Sequence, residues 1–426
     1  MKRRITNIIN DWYTNNTSHL YVTGMRGCGK TTLITDLFSG RDSQEQLYIN
    51  FETDYEIRAF FEEKTTIDRN MSVSDILADY FHTNVEYFNS AVVIIDEMHV
   101  AGISTKMFAA ATEEKTVRLI YIDSEGVTIH DHVPNCFSTI RVFPLTFDEF
   151  LDNTGKEWYH EVILGHFERM RSVPELVNNE INDIFSDYLQ TGGMPAVING
   201  YMDNLQRTGR FFNPEELQLK ELRNMIRGME EYESKDSHKM IGLLEGTISQ
   251  NILENRHFVF RKLLKGTSIT YYADAIEKLC SSGILIKSTF DAHNRFYWSD
   301  TGMLSAKIRS SYKCPDDRLN DIIIKNYIAL HLISGKCNCL FENSSENYKI
   351  GYWCSNSMSE VDFLIEDNGR KIAFKYIGES KKKIRSLQIY DDLIGADEKI
   401  AVGNSNFYIM GNVKLIPQYA VFCLNC

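Results

Sequence analysis

The chain has 426 residues, 43% of them apolar and 12% aromatic, which is enough for two or three domains with cores of their own. A net charge of −12 excludes a surface coated in positive potential, so any contact with nucleic acid has to come from a local patch. The longest apolar run, near Ser90–Ile95, is far below the ~20 residues that span a bilayer; nine scattered cysteines and no secretory pattern after Met1 point to a reducing cytoplasm and no membrane.

Residues 1–150 alternate short β-rich runs with helical stretches, the pattern of an α/β sheet with parallel strands. Strands are expected at His19–Thr23, Gln46–Phe51, Ala91–Asp96, Val117–Asp123 and Thr139–Phe143. The first runs into Gly24, Gly29, Lys30 and Thr31, spaced as GxxxxGK[ST]. Such a loop wraps an anion, with its N–H groups turned inward at the positive end of the following helix. Gly24, Arg26, Gly27, Cys28, Gly29, Lys30, Thr31 and Thr32 are the expected nucleotide contacts. Lys30 would reach the β- and γ-phosphates, and the Thr31 hydroxyl would sit on Mg²⁺. Arg26 reads either as a contact to phosphate or a neighbouring subunit, or as a solvated loop arginine.

The third strand carries four consecutive β-branched residues, Val92–Ile95, and ends in Asp96 and Glu97. Two carboxylates at the exit of a buried strand are costly unless they have a task. Asp96 would hold the Mg²⁺ shell through water, and Glu97 would orient and deprotonate an attacking water. Ser124, after the fourth strand, reads either as a sensor of the γ-phosphate or as a turn residue. Gly24, Asp96, Glu97, Asp123 and Ser124 all fall at strand exits, where ligands of such sheets bind. The expected catalytic set is Glu97, Lys30 and Ser124, and the expected metal set is Thr31 and Asp96.

From Phe147 to Gly193 the pattern turns helical and suits a small lid over the nucleotide. A further helix starts at Asn213–Pro214, with Leu222, Met225, Ile226 and Met229 on one face, and Glu231–Lys239 reads as a linker. Met240–Ser299 suits a winged helix, with a helix over Tyr271–Ser281 and strands at Ile284–Phe290 and Arg295–Ser299. That helix sets Asp274 and Glu277 against Lys278, too acidic for reading DNA, so a structural or protein-docking module is expected. Glu360–Gly369 and Lys371–Ile377 read as a hairpin turning at Asp367–Gly369. Lys381, Lys382, Lys383 and Arg385 form either a solvated helix start or a phosphate-contacting patch. Cys337, Cys339, Cys354, Cys423 and Cys426 match no zinc spacing and read as ordinary thiols.

Taken in order, Gly24–Thr32, Ile94–Glu97, Pro144–Phe150, Tyr188–Pro195, Phe296–Gly302 and Glu360–Phe363 resemble the prokaryotic AAA-type ATPases fused through a winged helix to a PD-(D/E)xK restriction-nuclease-like domain. The likeness covers nearly the whole chain. It implies an α/β P-loop NTPase core of the AAA+/ASCE type over residues 1–150, a helical lid and connecting helices over 151–235, a winged helix over 236–305, and a restriction-endonuclease-like α/β domain over 306–426. It also implies ATP as the nucleotide; no guanine-specifying Asn-Lys-x-Asp stretch occurs in the chain.

A nuclease of that kind needs carboxylates for Mg²⁺ and a lysine to place water. Asp362 matches the metal-binding aspartate, but Lys375 and Ile377 stand where Glu-x-Lys is expected, and Lys325–Asn326 where the family has Glu-Asn. The C-terminal domain is therefore expected not to cut, and to bind nucleic acid or a protein client instead. Met25 and Gly27 depart from the family's loop, and Arg118 and Arg141 are arginine-finger candidates by position alone. The expected function is an ATP-hydrolysing switch, in which an oligomer has a place; the alternatives are a non-hydrolysing, nucleotide-gated binding module and an ATP-controlled nuclease.

Overall fold

The computed structural model describes residues 1–39, 46–68, 71–89, 91–100, 104–124, 133–209, 213–232, 236–337, 350–356, 359–367 and 369–425. The first part of the chain runs α1 (Ile5–Asn15), β1 (His19–Thr23), α2 (Lys30–Phe38), β2 (Gln46–Asn50), α3 (Tyr55–Ile67), α4 (Val73–Phe81), β3 (Val92–Asp96), α5 (Ser104–Glu113), β4 (Arg118–Asp123) and β5 (Phe137–Arg141). The five strands form one sheet in the order β2-β3-β4-β1-β5, and every pairing in it is parallel. This is the expected parallel α/β core, consistent with a P-loop NTPase.

The β-branched runs are explained by burial on both faces. Val92, Ile94, Ile120 and Ile122 point into one apolar core together with α1 and α2. Val93, Ile95, Leu119 and Tyr121 point into another, closed by α3, α4 and α5.

The chain continues through α6 (Phe147–Asn153), α7 (Glu157–Glu168), α8 (Glu175–Thr191), α9 (Pro195–Thr208), α10 (Glu215–Tyr232), α11 (Ser237–Ile252) and α12 (Ala273–Ser281). A hairpin of β6 (Leu285–Phe290) and β7 (His293–Trp298) follows, then α13 (Thr301–Ser311) and α14 (Asp316–Cys337). The last part holds β8 (Ile350–Cys354), β9 (Glu360–Asp367), β10 (Arg370–Gly378), α15 (Arg385–Ile394), β11 (Glu398–Gly403), β12 (Tyr408–Met410) and β13 (Val413–Pro417). A second, mixed sheet has the order β12-β13-β11-β10-β9-β8-β6-β7.

Strand β6 pairs parallel to β8 at Ser288↔Ile350 and Thr289↔Gly351, so the two strands expected in the winged helix extend the C-terminal sheet. On α12 Lys278, the basic residue that the sequence sets against Asp274 and Glu277, is buried. The Lys381–Ile384 segment is a 3-10 turn leading into α15. Among the described residues no helix is long and apolar enough to cross a membrane, and no group of three or more His, Cys, Asp or Glu side chains is disposed to hold a metal. Cys354 and Cys423 are in no disulfide among the described residues; Cys339, Cys426 and the side chain of Cys337 lie outside the described residues, as does Asn368 at the expected hairpin turn.

The strap Thr191–Pro195 joins the two halves of the molecule. The Tyr188 hydroxyl donates to Leu145 O at 2.8 Å, Leu145 N donates to Gly193 O at 2.8 Å, and Gly193 N donates to Asp300 Oδ2 at 2.8 Å. Asp300 also caps α13, accepting from Met303 N at 2.7 Å. A Cβ on Gly193 would stand 2.3 Å from Leu145 O, so no side chain fits there. Gly193→Ala is expected to cost about 2–3 kcal/mol in denaturant unfolding. Gly165→Ala, in α7 with open space around it, is expected to gain about 0.5–1 kcal/mol. Similar effects of the two substitutions would show that the strap tolerates displacement.

Candidate functional site

The turn after β1 is held close to the strand beside it. A Cβ on Gly24 would lie 2.3 Å from Val142 O, and Gly29 takes φ 94° immediately before α2 begins at Lys30. Cys28 turns its thiol back to Val142 O at 3.3 Å, and Thr32 sits exposed on the first turn of α2. Lys30 is 4% exposed, and its ammonium donates to Gly24 O at 2.7 Å, Met25 O at 3.1 Å and Ser124 Oγ at 2.9 Å.

The carboxylates at the end of β3 face this loop. Thr31 Oγ1 donates to Asp96 Oδ2 at 2.6 Å, and the Tyr48 hydroxyl donates to the same oxygen at 2.9 Å. Glu97 takes φ 53°, a conformation that a non-glycine residue holds only when its surroundings fix it. Its Oε1 accepts from Ser124 Oγ at 3.0 Å. Among the described residues its Oε2 accepts no hydrogen bond, and it lies 3.5 Å from His99 Nδ1. His99 Nδ1 in turn lies 3.0 Å from Asp123 Oδ1, and the Tyr21 hydroxyl donates to Asp123 Oδ2 at 2.9 Å. Burial pushes the Glu97 carboxyl above its ordinary range, against the pull of Lys30 and His99.

Lys30, Thr31, Asp96, Glu97 and Ser124 are thus brought together at the exits of β1, β3 and β4. Tyr48, His99 and Tyr21 were not foreseen, since no motif marks them. Arg26 turns aside: its guanidinium meets both oxygens of Glu52, at 2.5 and 2.7 Å. Arg118 is not available as a finger. It opens the central strand β4 at the end away from the site, donates to Tyr13 O and Asn16 O, and lies over the Trp12 and Tyr13 rings. Arg141 packs its stem beside Gly283.

The loop is covered from the helical side. A Cβ on Gly29 would lie 3.4 Å from Pro195 Cγ, and one on Gly27 would lie 3.0 Å from both Met194 Cε and Glu221 Oε2. Beside it, Arg26, Gly27 and Glu52 face Glu221, Asn224 and Arg227 of α10 across a cavity of about 470 Å³. The residues fit a magnesium–nucleotide complex: a Cβ-free cradle, an ammonium resting on neutral oxygens, a hydroxyl and carboxylate side by side, and a buried carboxylate oxygen with no hydrogen bond.

A second charged group lies in the C-terminal sheet. Asp362, fully buried, has Lys325 Nζ 3.1 Å from Oδ1 and Lys375 Nζ 3.2 Å from Oδ2, and accepts from Tyr376 N at 2.9 Å. Glu360 receives Lys375 at 3.1 Å and Arg295 at 2.8 Å, and neither Glu360 nor Arg295 is among the expected site residues. Burial alone would raise the Asp362 carboxyl, but Lys325, Lys375 and Arg295 outweigh it and hold the group well below the usual range. Ile377 is buried in an apolar cluster. Asn326 is committed to the backbone, accepting from Trp298 N and donating to Ile322 O.

Residues 16–151 match the family model described as AAA domain, which together with the parallel core supports an ATP-binding core of the AAA type. No curated protein matches the chain. Among solved structures, a signal transduction ATPase with numerous domains carrying a tetratricopeptide repeat sensor, from Pyrococcus horikoshii, is similar at 12% identity and TM-score 0.30. That likeness covers 78% of this chain, which spans 45% of the other. The Thermotoga maritima RuvB Holliday junction branch migration motor is similar at 11% identity and TM-score 0.28, over 72% of this chain and 92% of that one. The Aeropyrum pernix Orc1 protein in complex with DNA is similar at 10% identity and TM-score 0.27, over 73% and 91%.

The raised Glu97 carboxyl has a thermodynamic signature. The folded chain binds this proton more tightly than the unfolded chain, so stability falls as pH rises from the unfolded value of 4.5 through the folded one. Glu97→Gln is expected to be more stable than the parent at neutral pH, with the gain gone below about pH 4. Melting curves at both pH values check it; an equal gain at both would assign the effect to packing.

Proposed function

We propose that the chain is an ATP-hydrolysing molecular switch. In this reading a P-loop core (residues 1–150) is covered by a helical lid (151–235), followed by a winged helix (236–305) and a restriction-nuclease-like domain (306–426) that binds without cutting. The observation that carries the proposal is the Lys30–Ser124–Glu97 hydrogen-bond chain beside the Thr31–Asp96 contact, at the exits of three neighbouring parallel strands.

The backbone of Gly27–Lys30 would cradle the phosphates, and Lys30 would exchange its bonds to Gly24 O and Met25 O for phosphate oxygens. Thr31 and, through water, Asp96 would hold Mg²⁺, which when bound neutralises phosphate charge and orients the γ-phosphoryl group. Glu97 suits the general base, since a carboxyl raised by burial is better matched to neutral pH and its Oε2 accepts no competing hydrogen bond. Ser124 fixes Oε1 of that base and also receives Lys30, so recruitment of Lys30 by a phosphate releases the hydroxyl. Glu221 stands over the loop as a like charge, so phosphate entry favours withdrawal of α10. The strap bolted to Asp300 would carry that movement to α13 and the second sheet. A cytoplasmic site of action, and a protein client or nucleic acid as partner, complete the reading.

Phosphate release from Mg-ATP is expected to fall by at least about a hundredfold in both Lys30→Ala and Glu97→Gln. Glu97→Gln should still bind nucleotide, whereas Lys30→Ala should not. Equal background in all three proteins would overturn hydrolysis and leave a nucleotide-gated binding module. In a Mg²⁺-dependent nicking assay the protein should leave DNA intact; cleavage that disappears in Asp362→Ala would establish a nuclease.

A further inference from the structure

Between the end of α11, the hairpin β6–β7, α14 and β9–β10 lies a cavity of about 380 Å³. Arg256, Arg295, Arg318, Lys325, Lys375 and Lys383 line it. Opposing them are Glu254 and Glu360 on its wall, with Asp362 buried behind Lys325 and Lys375. Six cations against three carboxylates leave an excess of three positive charges, in a chain whose net charge is −12.

These cations are held in place rather than free to sweep. Arg295 donates to Arg256 O at 2.8 Å and lies 4.2 Å over the Tyr352 ring. Arg256 donates to Ser355 O at 2.9 Å, and Arg318 donates to Asn251 O while its buried Nε has no hydrogen-bond partner. Side chains of Lys375 and Arg295 are 6% and 12% exposed and form the floor; Lys383 is exposed at the rim, over the Tyr376 ring. Asp362 and Glu360 outweigh the burial of Lys325 and keep its ammonium charged.

We propose that this cavity binds a phosphomonoester, its dianion seated between Lys325, Lys375 and the guanidinium groups of Arg295 and Arg318. The charge excess repels a divalent metal and matches a phosphate dianion, and guanidinium forks suit its oxygens. The volume lies at the lower end of small-ligand pockets, enough for a group of nucleotide size and too small for a duplex. The inference rests on reading residues 306–426 as a non-cleaving binding domain, and is independent of ATP hydrolysis. A free phosphorylated small molecule and the 5′-phosphate end of a single strand both present this chemistry.

The test uses the full chain in a Lys30→Ala background, so that the phosphate loop does not contribute. Binding of AMP, of a 5′-phosphorylated oligodeoxynucleotide and of its 5′-hydroxyl counterpart is measured by calorimetry at low and high salt. AMP or the phosphorylated strand should bind, more weakly at high salt; AMP alone identifies a small molecule and the phosphorylated strand alone a nucleic-acid end. Lys325→Gln should weaken binding by about tenfold, Lys383→Gln in the same direction, and Glu360→Gln should tighten it. The rim variant Lys383→Gln keeps the test usable if Lys325→Gln fails to fold. Absence of binding, equal binding of the two strands, or a Glu360→Gln variant that weakens binding overturns the inference. Mg²⁺-dependent cleavage of the strand would instead refute the non-cleaving reading on which it rests.

Discussion

The buried carboxylate of Asp300 is the joint on which the two halves of the chain meet. One oxygen holds the backbone of Gly193 and the other starts α13 at Met303. Burial pushes this carboxyl up to about 6 in spite of the N–H groups of Met303, Gly193, Gly302 and Met194 that favour its charged form. A carboxylate kept in so dry a place marks a position where geometry matters more than stability. What it fixes is the strap that sets Met194 and Pro195 against the phosphate loop.

The nucleotide site works by a related economy of groups. A single hydroxyl, that of Ser124, receives Lys30 and donates to Glu97, and a single oxygen of Asp96 receives Thr31 and Tyr48. Each shared atom makes two side chains interdependent, so a ligand that draws away one partner alters the other. Low exposure strengthens these bonds and makes an uncompensated carboxylate costly, which is why Glu97, the proposed base, is also a group that lowers stability at neutral pH.

The parallel core and the loop after β1 were legible because they rest on local rules: β-branched runs for strands buried on both faces, and a glycine spacing that few other turns need. The neighbours that complete the site were not. Tyr48 reaches Asp96 from the edge strand and His99 links Glu97 to Asp123 through tertiary placement, with no local pattern to announce either. The same holds for the β6–β8 pairing, whose partners lie about sixty residues apart and, among the described residues, are joined at two paired positions. Arg118 shows the opposite error: read as a candidate by position, it is consumed by aromatic rings and carbonyls at the start of β4, the strand end away from the site.

Asp362 shows how a change of partners alters what a carboxylate can do. With no exposure to water it needs positive charge close by, and a bound divalent ion is one source of two such charges. Here Lys325 and Lys375 bring two ammonium groups within 3.2 Å on tethered stems. The electrostatic requirement is met, but an ammonium has no open coordination position and cannot sharpen a bound water into a nucleophile. The carboxylate therefore acts as a counter-ion that holds cations beneath a cavity. With Arg295 added, and Glu254 and Glu360 opposing the six cations of the wall, the balance at the surface of that cavity stays positive. On the proposed reading, an absence of cutting and an anion seat would be two consequences of the same lysines.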